Sequence, residues 1–334
     1  MAEANRIEWI DRMRGLAILS VVVQHMTYSF GNEFIYHKLI GICNMGIFFF
    51  ISGFILNETC KIKNLNDVFR FYLKKVIQLI VPLVVWGLIV KNYFFHIGEW
   101  RIISVNDVIA LWKNPGLWFL LTLFGYMLYF GLYRYMLARK RSLLAVVFLS
   151  IAFWLGGGGI LVVLWKQTGD FHLATLYLPY FVFGVLMSEF KKIDILKKQS
   201  VQTTSLLVTF LLTTLFVSGA TSVLNIASKL LVTFSMIAIV FYLCSTFEWN
   251  KKVDGFVQLC GMNSLAIYCA HWSFTRLTID KPCLPNNELI ALSICVLAAC
   301  ITSYGCILFK KMIGKYPLFD CLLFGKMPQS KHEL

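Results

Sequence analysis

The chain has 334 residues, of which 58% are hydrophobic and only 14% charged, with a formal net charge of +14 and a mean hydropathy of +0.72. A soluble domain carries roughly 25% charged residues, so a water-soluble globule of this size, lacking the polar side chains to cover itself, is excluded. The excess of Lys and Arg sits in short segments between apolar runs, which points to membrane topology and away from nucleic acid.

Ten apolar runs, each near the length of about 20 residues that crosses a bilayer, are predicted at 13–30, 38–56, 76–95, 115–137, 142–164, 172–190, 201–219, 226–246, 256–277 and 288–309. The first is followed at once by a second and has no small-residue cleavage site, so it reads as a span and not as a signal peptide. With an even count both termini share a side. That side and its loops hold 23 of the 31 Lys and Arg residues, which predicts cytoplasmic termini. The fold class expected is an all-α membrane protein, a bundle of about ten transmembrane helices forming one domain over 1–334. The last helix should end near 312, leaving 313–334 as a cytoplasmic tail.

Ionisable groups inside spans are costly and so mark candidate sites. In the first span Asp11, Arg14, Ile18, Val22 and His25 share one helical face. Arg14 and His25 lie roughly 16 Å apart along the axis at 1.5 Å per residue, which puts Arg14 at the cytoplasmic end and His25 in the outer half. Read singly, Arg14 is a headgroup anchor and His25 an interhelical hydrogen bonder; together they line a tunnel or site. In the second span Asn44 should reach the depth of His25, and Ser52 lies in the inner half, where close packing or ligand contact suits it better than nucleophilic attack. Arg70, Lys74 and Lys75 precede the third span and suit the phosphates of lipids or of a nucleotide-like ligand. The fifth span contains Gly156-Gly157-Gly158-Gly159, which could bend it. His271, late in the ninth span, should share the level of His25 and Asn44. The ten cysteines are scattered singly with no Cys/His metal spacing, so neither a disulfide nor a metal site is expected.

The first helix contains Arg6-Ile7-Glu8-Trp9-Ile10-Asp11-Arg12-Met13-Arg14-Gly15-Leu16-Ala17-Ile18 and then Gln24-His25. The second contains Gly46-Ile47-Phe48-Phe49-Phe50-Ile51-Ser52-Gly53-Phe54. Pro82, Leu117-Trp118-Phe119-Leu120, Tyr180-Phe181-Val182-Phe183-Gly184 and Gly261-Met262-Asn263-Ser264-Leu265-Ala266-Ile267-Tyr268, ending at His271, follow in order. This series resembles the acyltransferase-3 family of integral membrane acyltransferases, whose hallmark is Arg, ten residues, then His. One departure stands out: where that family often has a second basic residue three positions after the first, Lys75 is followed by Gln78.

The resemblance implies a membrane-bound O-acyltransferase in a bacterial inner or plasma membrane. Its cytosolic donor would be acyl-CoA, most commonly acetyl-CoA, with no permanently bound cofactor, and its acceptor a hydroxyl on an extracytoplasmic or lipid-linked glycan. It implies His25 as the catalytic residue and Arg14, with Lys74 and Lys75, in donor binding. His25 could act as base or could carry the acyl group itself. Asp11, Asn44, Ser52, Trp118 and His271 are expected in support: Asp11 pairing with Arg14 or Arg12, and His271 or Asn44 orienting His25 or holding an oxyanion. The alternative is a transporter or flippase of a lipid-linked sugar, which a ten-helix bundle with intramembrane histidines would also suit, although no internal repeat is visible.

Overall fold

The computed structural model describes residues 7–29, 35–90, 103–113, 117–137, 177–217, 225–277 and 287–327. Among these there are twelve helices and no strand. They are α1 Glu8–Ser29, α2 Ile35–Thr59, α3 Leu65–Val90, α4 Val105–Lys113, α5 Trp118–Leu137, α6 Leu178–Glu189, α7 Gln199–Val217, α8 Asn225–Thr246, α9 Lys251–Met262, α10 Ser264–Leu277, α11 Glu288–Ile313 and α12 Pro317–Phe324. Three of them (α3, α11 and residues Ala227–Thr246 of α8) are long and apolar enough to cross a membrane. The expected fifth span and its four glycines lie outside the described residues. The chain divides into two compact units, one of Met1–Glu58 with Pro179–Phe309 and one of Thr59–Leu178 with Lys310–Leu334.

In the first unit α1 packs against α8, α9 and α10. Met13, Ala17, Ile18, Val22 and Met26 are buried, and so is Asp11. A helix enclosed on most sides by other helices can carry charge that lipid would not tolerate. Small residues set the crossings. A Cβ on Gly15 would overlap the carbonyl oxygen of Val257, and one on Gly261 would overlap that of Asp11, so α1 and α9 touch backbone to backbone. The same holds where α2 meets α6: Gly53 lies on the carbonyl oxygen of Phe181 and Gly184 on that of Phe50. Aromatic rings fill the space beside these contacts. Phe183 stacks on Phe50 at 5.4 Å and meets Phe234 edge-on at 5.2 Å. Trp9 sits edge-on to Phe54 at 5.2 Å and to Phe241 at 4.9 Å.

The expected ninth span is two helices. Asn263 leaves the helical region (φ −107°, ψ 15°) and ends α9, its side chain donating to the carbonyl of Leu259 at 2.8 Å. Its own carbonyl accepts from the amide of Ile267 at 2.9 Å and so starts α10. An Asn that satisfies local backbone groups in this way competes with the helix ladder and breaks it.

In the second unit α3 begins at Leu65, eleven residues before the expected start of the third span, so Arg70, Lys74 and Lys75 lie on the helix and not ahead of it. The early start has a local cause: Asn64 and Asp67 form a capping box, each side chain accepting from the other's amide. Further along, Pro82 cannot donate to Gln78, and the turns on either side of the Val81–Val84 segment widen to π geometry. Residues beyond α11 fold back as α12 in the same unit. Trp86 Nε1 of α3 donates to the carbonyl of Leu323 at 2.8 Å, and Gly325, at φ +64°, closes α12 against Gln78. Tyr72 of α3 donates to the Leu128 carbonyl of α5 at 2.7 Å, its ring covering Gly131.

Candidate active site

Two sets of the expected site residues lie in the two units, and each is described within its own. In the first, α1 presents His25, half-buried, to α10. Its ring centroid is 5.1 Å from that of His271, with 38° between the planes, and 5.0 Å from Trp272, which stands edge-on at 86°. His271 is only 3% exposed. Its Nδ1 donates to the carbonyl of Ile267 at 2.9 Å, which fixes the ring on α10 two turns after the break at Asn263. The two histidines expected at one level are therefore neighbours.

Asn44 of α2 is 2% exposed. Its Nδ2 donates to Gln24 Oε1 at 2.9 Å and its Oδ1 accepts from the amide of Met45 at 2.6 Å. The amide side chain thus holds α2 against α1 through the residue before His25. Gln24 was not among the expected site residues; its adjacency to His25 in the Gln-His pair is the signal that pointed to it. Trp272 is the other unexpected neighbour, next to His271 in sequence.

Arg14, half-buried, lies three turns before His25 on the same helix, and the charge of buried Asp11 acts on it. Arg12 has different partners. It makes a bidentate contact to Asp254 of α9 (Nε–Oδ1 2.7 Å, Nη2–Oδ2 2.8 Å), donates to the carbonyl of Cys244 on α8 at 3.1 Å and pairs with Glu8 at 2.9 Å. Arg12 and Asp254 both flank the apolar runs. The hydrogen bonds from Arg12 hold the Asp254 carboxyl below the usual carboxylate range. Arg12, at the centre of this three-helix clamp, is two residues, about half a turn, before Arg14 and so faces away from it. Ser52 is half-buried on α2 beside the Gly53 crossing.

In the second unit Lys74 is exposed, and Lys75 donates to Gln78 Oε1 at 2.9 Å with its ammonium over the Phe71 ring at 5.6 Å. The residue that departs from the family pattern is thus the partner of the residue that keeps it. Burial pushes the Cys60 thiol up while the charges of Lys75, Arg134 and Lys74 pull it down. The charge of Arg134 of α5 thus acts on Cys60 together with those of the two lysines of α3, a link that no local pattern announces. Trp118 opens α5 with its ring 5.4 Å from that of Tyr177. Among the described residues no three His, Cys, Asp or Glu side chains come together as a metal site.

Apolar helices of spanning length and a charged helix sheltered among other helices define a helical membrane protein. The sequence matches the acyltransferase-3 family, described as an acyltransferase domain, over residues 7–310, and the chain belongs to that family. Comparison with curated proteins and with solved structures gave no match.

Proposed function

We propose that this membrane acyltransferase is an O-acetyltransferase. It moves an acetyl group from cytosolic acetyl-CoA to a hydroxyl of an extracytoplasmic or lipid-linked glycan. The proposed setting is a bacterial inner membrane, with about ten spans and both termini cytoplasmic. The observation that carries the reading is the arrangement on α1: a cation, Arg14, and an imidazole, His25, three turns apart on one buried helix, with a second imidazole against the first.

In this reading Arg14 receives the phosphates of the donor at the cytoplasmic side, and Lys74 and Lys75 of the other unit are proposed, from the sequence pattern, for donor binding. The pantetheine arm reaches along α1 towards His25. Neutral His25 removes the proton of the acceptor hydroxyl as that oxygen attacks the thioester carbonyl carbon. The C–S bond then breaks, the ester is released, and the CoA thiolate takes the proton back from the imidazolium. Proximity does much of the work, because thioester and hydroxyl are held together in a site that water reaches poorly.

The test is acetyl-CoA binding by calorimetry in nanodiscs, alongside acylation in cells. Wild type should bind, Arg14→Ala should lose binding, and His25→Ala should bind yet transfer about 10²–10⁴-fold more slowly, the usual contribution of a general base. A wild-type protein with no affinity for acetyl-CoA would overturn the reading and turn attention to sugar transport.

A further inference from the structure

The Nε2 atom of His271 is buried and receives no hydrogen bond from any described residue. Its tautomer follows from the other nitrogen: the Ile267 carbonyl can only accept, so Nδ1 carries the proton and Nε2 is a bare lone pair. A buried acceptor without a donor is disfavoured, and native structures leave few of them. His25 does not fill the role. The rings lie 5.1 Å apart with 38° between their planes, and no N–H of His25 reaches Nε2. The other ring contact of His271 among the described residues is with Tyr268, at 6.0 Å. Among the described residues none supplies the missing donor, which leaves the position open to a hydroxyl or amide of a bound molecule.

Resting on the transfer reaction above, we infer that His271 Nε2 accepts a hydrogen bond from a second hydroxyl of the acceptor, next to the one that is acylated. The reacting hydroxyl has a single proton, and His25 takes it. A different O–H must therefore satisfy His271, and the closeness of the two rings places it on a neighbouring carbon. The site thus selects vicinal diols over simple alcohols. A neutral imidazole acceptor also explains why this position discriminates without charge: it requires a donor and rejects a deoxy analogue, which would leave the lone pair buried and unpaired.

Nitrogen NMR of histidine-labelled protein in nanodiscs reads this directly, with His271→Gln used only to assign the resonance. Unliganded wild type should show a non-protonated Nε2. Glycerol, the diol probe, should shift that signal towards the hydrogen-bonded position, and 1-propanol at equal concentration should not. A protonated Nε2, or no shift with glycerol, overturns the inference; equal shifts with both alcohols overturn the diol requirement. The competing donor is an amide of the pantetheine arm. His271→Gln should keep acetyl-CoA affinity within twofold, and a tenfold loss would assign the lone pair to the donor and overturn the acceptor role. A wild type that binds no acetyl-CoA defeats the transfer reading but leaves the glycerol shift readable, so the two failures are distinct.

Discussion

In the first unit helices meet backbone to backbone, through Gly15 and Gly261 and through Gly53 and Gly184. In the second, contacts between helix bodies run through side chains, Tyr72 bridging to α5 and Trp86 to α12, and the close glycine contact, Gly325 on Gln78, falls beyond the end of α12. The first arrangement leaves no slack and suits a helix that must hold Arg14 and His25 at fixed depth. The second, with a π-widened α3 and half-exposed lysines, can adapt to its neighbours. Under the proposed function, rigid placement of reacting groups and adaptable placement of charged ones are different requirements, for which the two units offer different contacts.

This contrast can be broken most sharply at a crossing. Gly261→Leu forces a side chain into the Asp11 carbonyl and should destabilise by about 3 kcal/mol or abolish folding, read as loss of monodisperse protein in detergent. Next is the clamp. Arg12→Gln removes a half-buried bidentate pair and should cost on the order of 1–2 kcal/mol, between the values for exposed and fully buried pairs. It also carries a pH signature. Because the Asp254 carboxyl is held low by Arg12, the unfolded chain takes up its proton first as pH falls. The contribution is thus complete above about pH 4 and is lost as pH drops through the folded value. Thermal unfolding in detergent should show this acid limb in wild type and a flatter one in Asp254→Asn. In the second unit Trp86→Phe deletes one hydrogen bond while keeping a ring, and should cost about 1 kcal/mol. A loss as large as that at Gly261 would erase the contrast. The smallest effect runs the other way. Gly255 is exposed inside α9, and a Cβ there meets nothing within 4 Å, so Gly255→Ala should stabilise by about 0.5–1 kcal/mol. It separates glycines that helices need for contact from one that they do not.

Much of this was legible in the sequence because it is periodic or local. The face shared by Arg14 and His25 follows from helical spacing, and most helix ends fall within a few residues of the apolar runs. The start of α3 was misread because hydropathy marks where lipid begins, whereas the Asn64–Asp67 box marks where the helix begins. The break at Asn263 was hidden because the flanking residues are apolar on both sides and only the side chain's local hydrogen bond gives it away. Pairing across the chain was not legible at all. Asp11 was expected to pair with Arg14 or Arg12; Arg12 pairs with nearby Glu8 and with Asp254, 242 residues away. The link from Asn44 to Gln24 is likewise tertiary.

That separation has a consequence for how the protein is made. The helices that shelter α1 are α8, α9 and α10, and none exists when α1 leaves the ribosome. At roughly 5–20 residues per second, the wait for Asp254 lasts on the order of 10–50 s. During it, a segment bearing Glu8, Asp11, Arg12 and Arg14 lacks Asp254 and the helices that enclose it in the finished protein. An insertion chaperone, or a stay inside the translocon, is the natural holding place for such a segment. Nascent chains that stop short of α10 should be recognised by membrane proteases through their orphaned first helix.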